Sequence, residues 1–245
     1  MKRGQVTFFT IVALLVIVIA VFITYLMPPR IKTEFPSAIS LPPHLQSVHN
    51  MVNTCLSFAA KNAVLVTAAR GGSYTPKKVY EYPPLLISYL YNQGQSLLPT
   101  LQEMETSIAK VTRDLAQECV DFSRFPTLKI TPVRAMESTA IIDENKVTIQ
   151  TTYPLTIIKD AVKSDLSIPY THTVAVNLKR VYNALSLINN NIQKDPSSVP
   201  LSTTLQTGMN VEVMSLDEKT FLYVLTDRQS IIDDLPLTII FAVGV

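Results

Sequence analysis

Apolar and polar positions along this chain fall into three regimes. From Val6 to Met27 no charged residue occurs, and every face of a helix there would be apolar. At about 1.5 Å rise per residue the run is long enough to cross a hydrocarbon core about 30 Å thick, so it predicts a transmembrane helix. From His44 to Phe122 the apolar residues recur at helical spacing. Leu45, Val48, Val52, Cys55, Ala59 and Val66 predict a helix up to Arg70, ended by a left-handed cap at Gly71-Gly72. Leu101, Met104, Ile108, Val111, Leu115, Cys119 and Phe122 predict a second helix opened by Pro99, with Glu103, Glu105, Lys110, Arg113 and Asp114 on its other faces. Between the two, Ser73 to Pro84 reads as a loop. Leu85 to Asn92 reads as a short apolar helix broken at Gly94.

After Pro126 the period drops from about 3.6 to about 2. Val147, Ile149, Thr151 and Tyr153 alternate with polar neighbours, and Asp143-Glu144-Asn145 turns back to Thr139–Ile142. Ile168–Val176 predicts another strand and Asn177–Gln193 a helix buried through Leu178, Val181, Leu185, Ile188 and Ile192. Met209–Leu216 and Lys219–Leu225 flank a turn at Asp217-Glu218. Leu237–Val245 is apolar on both sides and predicts a central closing strand. The expected fold is α+β. A single N-terminal transmembrane helix (1–27) and a Pro-rich spacer (28–43) lead to a small helical unit (44–125). An antiparallel sheet with one packed helix (126–245) completes it.

Charge then narrows the partners. All 19 acidic residues and all but two of the 21 basic ones lie beyond Pro29, so the net +2 is Lys2 and Arg3. No basic run exists to neutralise phosphates, which argues against nucleic acid as a partner. The positive-inside comparison is close to a tie, with Lys2 and Arg3 before the run and Arg30 and Lys32 after it. The short leading tail and two cysteines favour a cytoplasmic N-terminus with the C-terminal domain extracytoplasmic. Cys55 and Cys119 each fall on the apolar stripe of a predicted helix. Two reduced core cysteines would leave the same pattern, but an even count outside the membrane favours a disulfide.

The leading residues Lys2-Arg3-Gly4-Gln5-Val6-Thr7-Phe8 resemble the class III signal of archaeal type IV pilin-like, membrane-anchored surface proteins. That resemblance implies cleavage by a prepilin peptidase between Gly4 and Gln5, with the apolar segment retained as an anchor. The chain departs from pilins at Phe9, where many carry a glutamate, and at Pro28-Pro29, which end or kink a helix that pilins continue into the head. An ordinary signal anchor explains the same residues without processing.

Candidate chemistry is sparse. His44 and His49 fall on different faces of their helix, and His172 sits in a strand-like run. No Gly-x-Ser-x-Gly, His-Glu-x-x-His or phosphate-cradling Gly-rich loop occurs. Asp233-Asp234 reads as an acidic turn ahead of a strand rather than a cation site. No catalytic, cofactor or metal residue is expected, and the chain is not read as an enzyme. Tyr74, Tyr80, Tyr82, Tyr89 and Tyr91 are half of the chain's 10 tyrosines. They form either a cover over the helical unit's core or a protein-binding surface. The expected role is a membrane-anchored extracytoplasmic protein that binds or scaffolds a protein of the cell envelope. The alternative is a pilin-like subunit that self-assembles through its apolar helix.

Overall fold

The computed structural model describes residues 41–82, 85–195 and 207–245. The run Val6–Met27, the Gly4–Gln5 bond and the spacer as far as residue 40 lie outside them. Helix α1 (Pro43–Ala69) starts where proline is best tolerated, since the missing N–H of Pro43 has no intrahelical partner in the first turn. Pro42 stays outside the helical region at φ −51° and ψ 144°. Val48, Val52, Leu56, Ala59, Ala63 and Val64 form the fully buried stripe of α1. Its end follows from two glycines: Gly71 N–H donates to Ala68 O and Gly72 N–H to Thr67 O, each 2.9 Å, with Gly71 at φ 68°. This paired arrangement satisfies the last carbonyls of the helix.

Helix α2 (Leu101–Cys119) opens with a capping box. Thr100 Oγ1 accepts from Glu103 N at 3.1 Å, and Glu103 Oε2 accepts from Thr100 N at 2.7 Å. The end of α1 lies beside Met104 at the start of α2, and Cys55 is bridged to Cys119 at its end, so the two helices run antiparallel. Small residues such as Ala59, Ala63 and Ala116 let them approach closely. The disulfide joins Cα atoms 5.6 Å apart. Cys55 is buried as its stripe predicts, whereas Cys119 stands exposed in the last turn of α2.

The largest sheet is built from β1 (Val79–Tyr82), β2 (Leu85–Asn92), β3 (Gln95–Ser96), β10 (Asn210–Ser215), β11 (Thr220–Ile232) and β12 (Leu235–Gly244). Its order is β1-β2-β12-β11-β10, with β3 also paired to β2. Every pair is antiparallel except β12 with β2, which is parallel. Two smaller antiparallel sheets follow: β4 (Lys129–Pro132) with β7 (Leu155–Lys159) and β8 (Val162–Leu166), and β5 (Glu137–Ile142) with β6 (Val147–Thr152) and β9 (Tyr170–Val174). Helix α3 (Leu178–Lys194) adds Val181, Leu185, Ile188 and Ile192 to the main core. That core also takes Tyr223, Leu225, Ile239 and Phe241 from one face of the large sheet, and Ile149 and Val174 from the β5-β6-β9 sheet. Tyr223 and Phe241, directly paired across β11 and β12, stack with centroids 5.1 Å apart.

The α+β class holds, as do α1, α2, α3, the β5–β6 and β10–β11 hairpins and the central place of β12. Three expectations need correction. Leu85–Asn92 is strand β2, not a helix. Its eight residues are apolar except for Ser88 and Asn92, and both edges of the strand find backbone partners, β12 on one side and β1 and β3 on the other. Strand β1 forms inside the expected loop Ser73–Pro84. The third concerns the helical unit: because β2 belongs to the sheet of β10–β12, its predicted range does not fold apart from the rest, and Pro42–Val245 is one compact unit. Among the described residues no helix is long and apolar enough to cross a membrane.

Candidate functional site

Two clefts indent the described surface along the edge of β2 that faces away from β12. β1 covers Leu85–Ser88 along that edge and β3 covers Tyr91–Asn92, while Lys77, Lys78 and Leu97 lead into and out of the two short strands. One cleft there encloses about 290 Å³ and is walled by Gly71 and the loop that follows α1, the start of α2 and Ser88 of β2. A second encloses about 300 Å³ beside the β2–β3 turn, against Lys78, Asn92, Gln93 and Gln95. Lys77 and Leu97 line both.

Local chemistry holds this edge in place. Ser88 Oγ donates to Arg70 O, fastening the end of α1 to β2. Tyr74 N–H donates to Ser107 Oγ at 3.2 Å, fastening the following loop to α2. Two cations stand over the Tyr74 ring, the Arg70 guanidinium at 4.9 Å and the Lys110 ammonium at 5.0 Å from its centroid, a favourable position over an aromatic face. Lys77 Nζ stands 3.4 Å from Glu103 Oε1. The Glu103 carboxyl is held below its ordinary range first by the Thr100 N–H and then by Lys77. Lys78 donates to Asn92 Oδ1 and sits 5.7 Å from the Tyr89 ring centroid. Asn92 in turn leans over Gly244, where an added Cβ would fall 2.3 Å from Asn92 Nδ2. The β2–β3 turn places Gln93 at φ 48° and Gly94 at φ 83°. Both central residues of such a hairpin turn must adopt positive φ, a role given mostly to Asn, Asp and Gly.

The five tyrosines divide among three surroundings. Tyr80 and Tyr89 meet edge to face at 6.2 Å on the outer face of the large sheet, where they partly cover Ile87, Leu222 and Ala242. Tyr82 shares their strand face and is 52% exposed. Tyr91 is buried in the main core, and Tyr74 packs against that core from the loop. The phenol of Tyr80 is pushed above its ordinary value first by desolvation and then by Asp217.

Elsewhere, His49 of α1 stacks on Tyr170 of β9 at 4.9 Å, and Tyr170 shares its strand face with His172. His49 Nδ1, Tyr170 Oη and His172 Nε2 are buried without a hydrogen-bond partner among the described residues. Burial lowers both imidazole pKa values and pushes the Tyr170 phenol up to about 12. Asp233 and Asp234 form the positive-φ turn between β11 and β12, and Asp233 pairs with Lys61 at 2.6 Å. No group of three His, Cys, Asp or Glu side chains among the described residues could hold a metal ion. No sequence motif marks Gln93, Gln95, Gln102, Lys77 or Lys78, and the one signal near them is Gly94 after an apolar run, which belongs to a hairpin turn and not to a broken helix. Comparison with protein-family models, curated proteins and solved structures finds no match for the chain.

Proposed function

We propose that residues 42–245 form an extracytoplasmic binding domain, tethered by the apolar run Val6–Met27 and engaging another component of the cell envelope. The observation that carries this reading is the Cys55–Cys119 disulfide, which ties α1 to α2 in a chain that also holds an uncharged run of membrane-spanning length. Such bridges persist in oxidising compartments and are rare in a reducing cytosol. The clefts at the edge of β2 supply a recognition surface without a reaction assigned to it. Assembly as a pilin is the weaker reading, because Pro42 is non-helical and α1 does not extend N-terminally through it.

Topology tests the reading directly. Protease added to intact cells should cleave the domain, and the chain extracted from membranes should show no alkylatable thiol until reduced. A domain shielded in intact cells, or two thiols alkylated without reduction, would falsify the assignment. The mass of the same extracted chain reads out processing, since a start at Gln5 supports the prepilin-type cut.

A further inference from the structure

We propose that the two clefts at the β2 edge are one groove, and that it holds a short glycan chain carrying an acidic sugar. This inference rests on reading the domain as an outward-facing binding module. The clefts share Lys77 and Leu97 and together run from the start of α2 to the β2–β3 turn. Their walls carry polar groups that the fold does not use. The amides of Gln93, Gln95 and Gln102 and the hydroxyls of Ser73 and Thr75 make no hydrogen bond to a described residue. An amide offers both donors and an acceptor, and a hydroxyl offers both as well, which matches the alternating donors and acceptors of sugar hydroxyls. Leu97, Pro76 and Pro99 give the small apolar contacts that sugar C–H faces require.

Charge narrows the class further. Lys77 is balanced by Glu103, whereas Lys78 meets only neutral groups among the described residues, the Asn92 amide and the face of the Tyr89 ring, so its charge is available to a carboxylate. The Gln93 backbone supplies an independent indication. At φ 48° in a tight hairpin turn, glutamine occupies a position for which Asn or Gly is better suited, and its side chain lines the groove. Strain of this kind collects where a side chain is kept for a role other than stability.

The test uses the full chain in lipid nanodiscs, titrated calorimetrically with hexagalacturonate, with neutral chitohexaose and with an extended uncharged hexapeptide. We expect saturable binding of hexagalacturonate, tighter than that of chitohexaose. Gln102→Ala and Gln93→Asn should each weaken it by about two- to tenfold, the share of one or two hydrogen bonds. Lys78→Gln should remove the preference for the acidic sugar. The three positions are exposed or half-buried at the surface, and Gln93→Asn suits the turn, so unfolding does not confound the comparison. Saturation by neither sugar, saturation by the peptide alone, or sugar binding indifferent to all three substitutions overturns the proposal. A domain that protease reaches from outside yet binds no sugar loses the groove assignment alone. A domain shielded from outside loses the envelope reading instead.

Discussion

Gly71 shows how one backbone position joins the helical layer to the sheet. Its φ of 68° lets α1 end in a left-handed turn, and its missing side chain lets Ser88 and Ile240 come close. An added Cβ would stand 3.0 Å from Ser88 Cβ and 3.2 Å from Ile240 O. Gly71→Ala therefore meets two penalties, the left-handed conformation and a clash against backbone, and should cost about 2–3 kcal/mol in urea unfolding. Gly94→Ala is the matched comparison, with the same kind of φ and nothing within 4 Å of the new Cβ. It should lose only about 1 kcal/mol. Equal losses at the two sites would refute the role given to the Ser88–Ile240 contact. The turn glycines were legible from sequence because a helix pattern stopped at them; the close approach of Ser88 was not, because it depends on a strand that was read as helix.

At the scale of elements, legibility followed the length of the pattern. α1, α2 and α3 each repeat their apolar stripe over several turns, so the helical period is unmistakable. β2 is short and apolar on both faces, and a run of that length does not distinguish a buried strand from a helix. What decides it is the parallel partner β12, about 150 residues later in the chain, which no local window contains. The groove is hidden from a local window for the same reason, since its walls come from the loop after α1, β2, β3 and α2 at once. The cysteines stood out by number and helical placement, although only Cys55 lies on a buried stripe. Their bridge closes a separation of 64 residues, for which the chain-entropy model gives about 4 kcal/mol. Replacing both, as Cys55→Ala with Cys119→Ser, should lower the unfolding free energy by about 2–4 kcal/mol while α1 and α2 keep their helical circular dichroism. A loss below about 1 kcal/mol would mean that packing alone sets the α1–α2 pair.

The molecule as a whole should respond to pH through the seam where α1 crosses the β5-β6-β9 sheet. There His49 and His172 are half-buried, His49 stacked on Tyr170, and desolvation lowers both imidazole pKa values from the ordinary 6.5. The unfolded chain therefore binds more protons than the folded one just below that value, and stability must fall with acidity. This contribution is complete above about pH 6.5 and is lost as pH drops toward the lowered native values. Glu103, Asp121 and Asp217 are held below their ordinary values by hydrogen bonds, so their losses begin only in more acidic solution. Tyr170 acts at the other end of the scale. Its pKa is raised from 10.0 to about 12, so its share is complete below pH 10 and vanishes as pH rises through about 12. Urea unfolding between pH 5 and pH 7.5 isolates the histidines, and the unfolding free energy should rise across that interval. His172→Leu, which places no titrating group beside Tyr170 on β9, should flatten the rise. An unchanged slope in that variant would assign the acid sensitivity to another part of the fold.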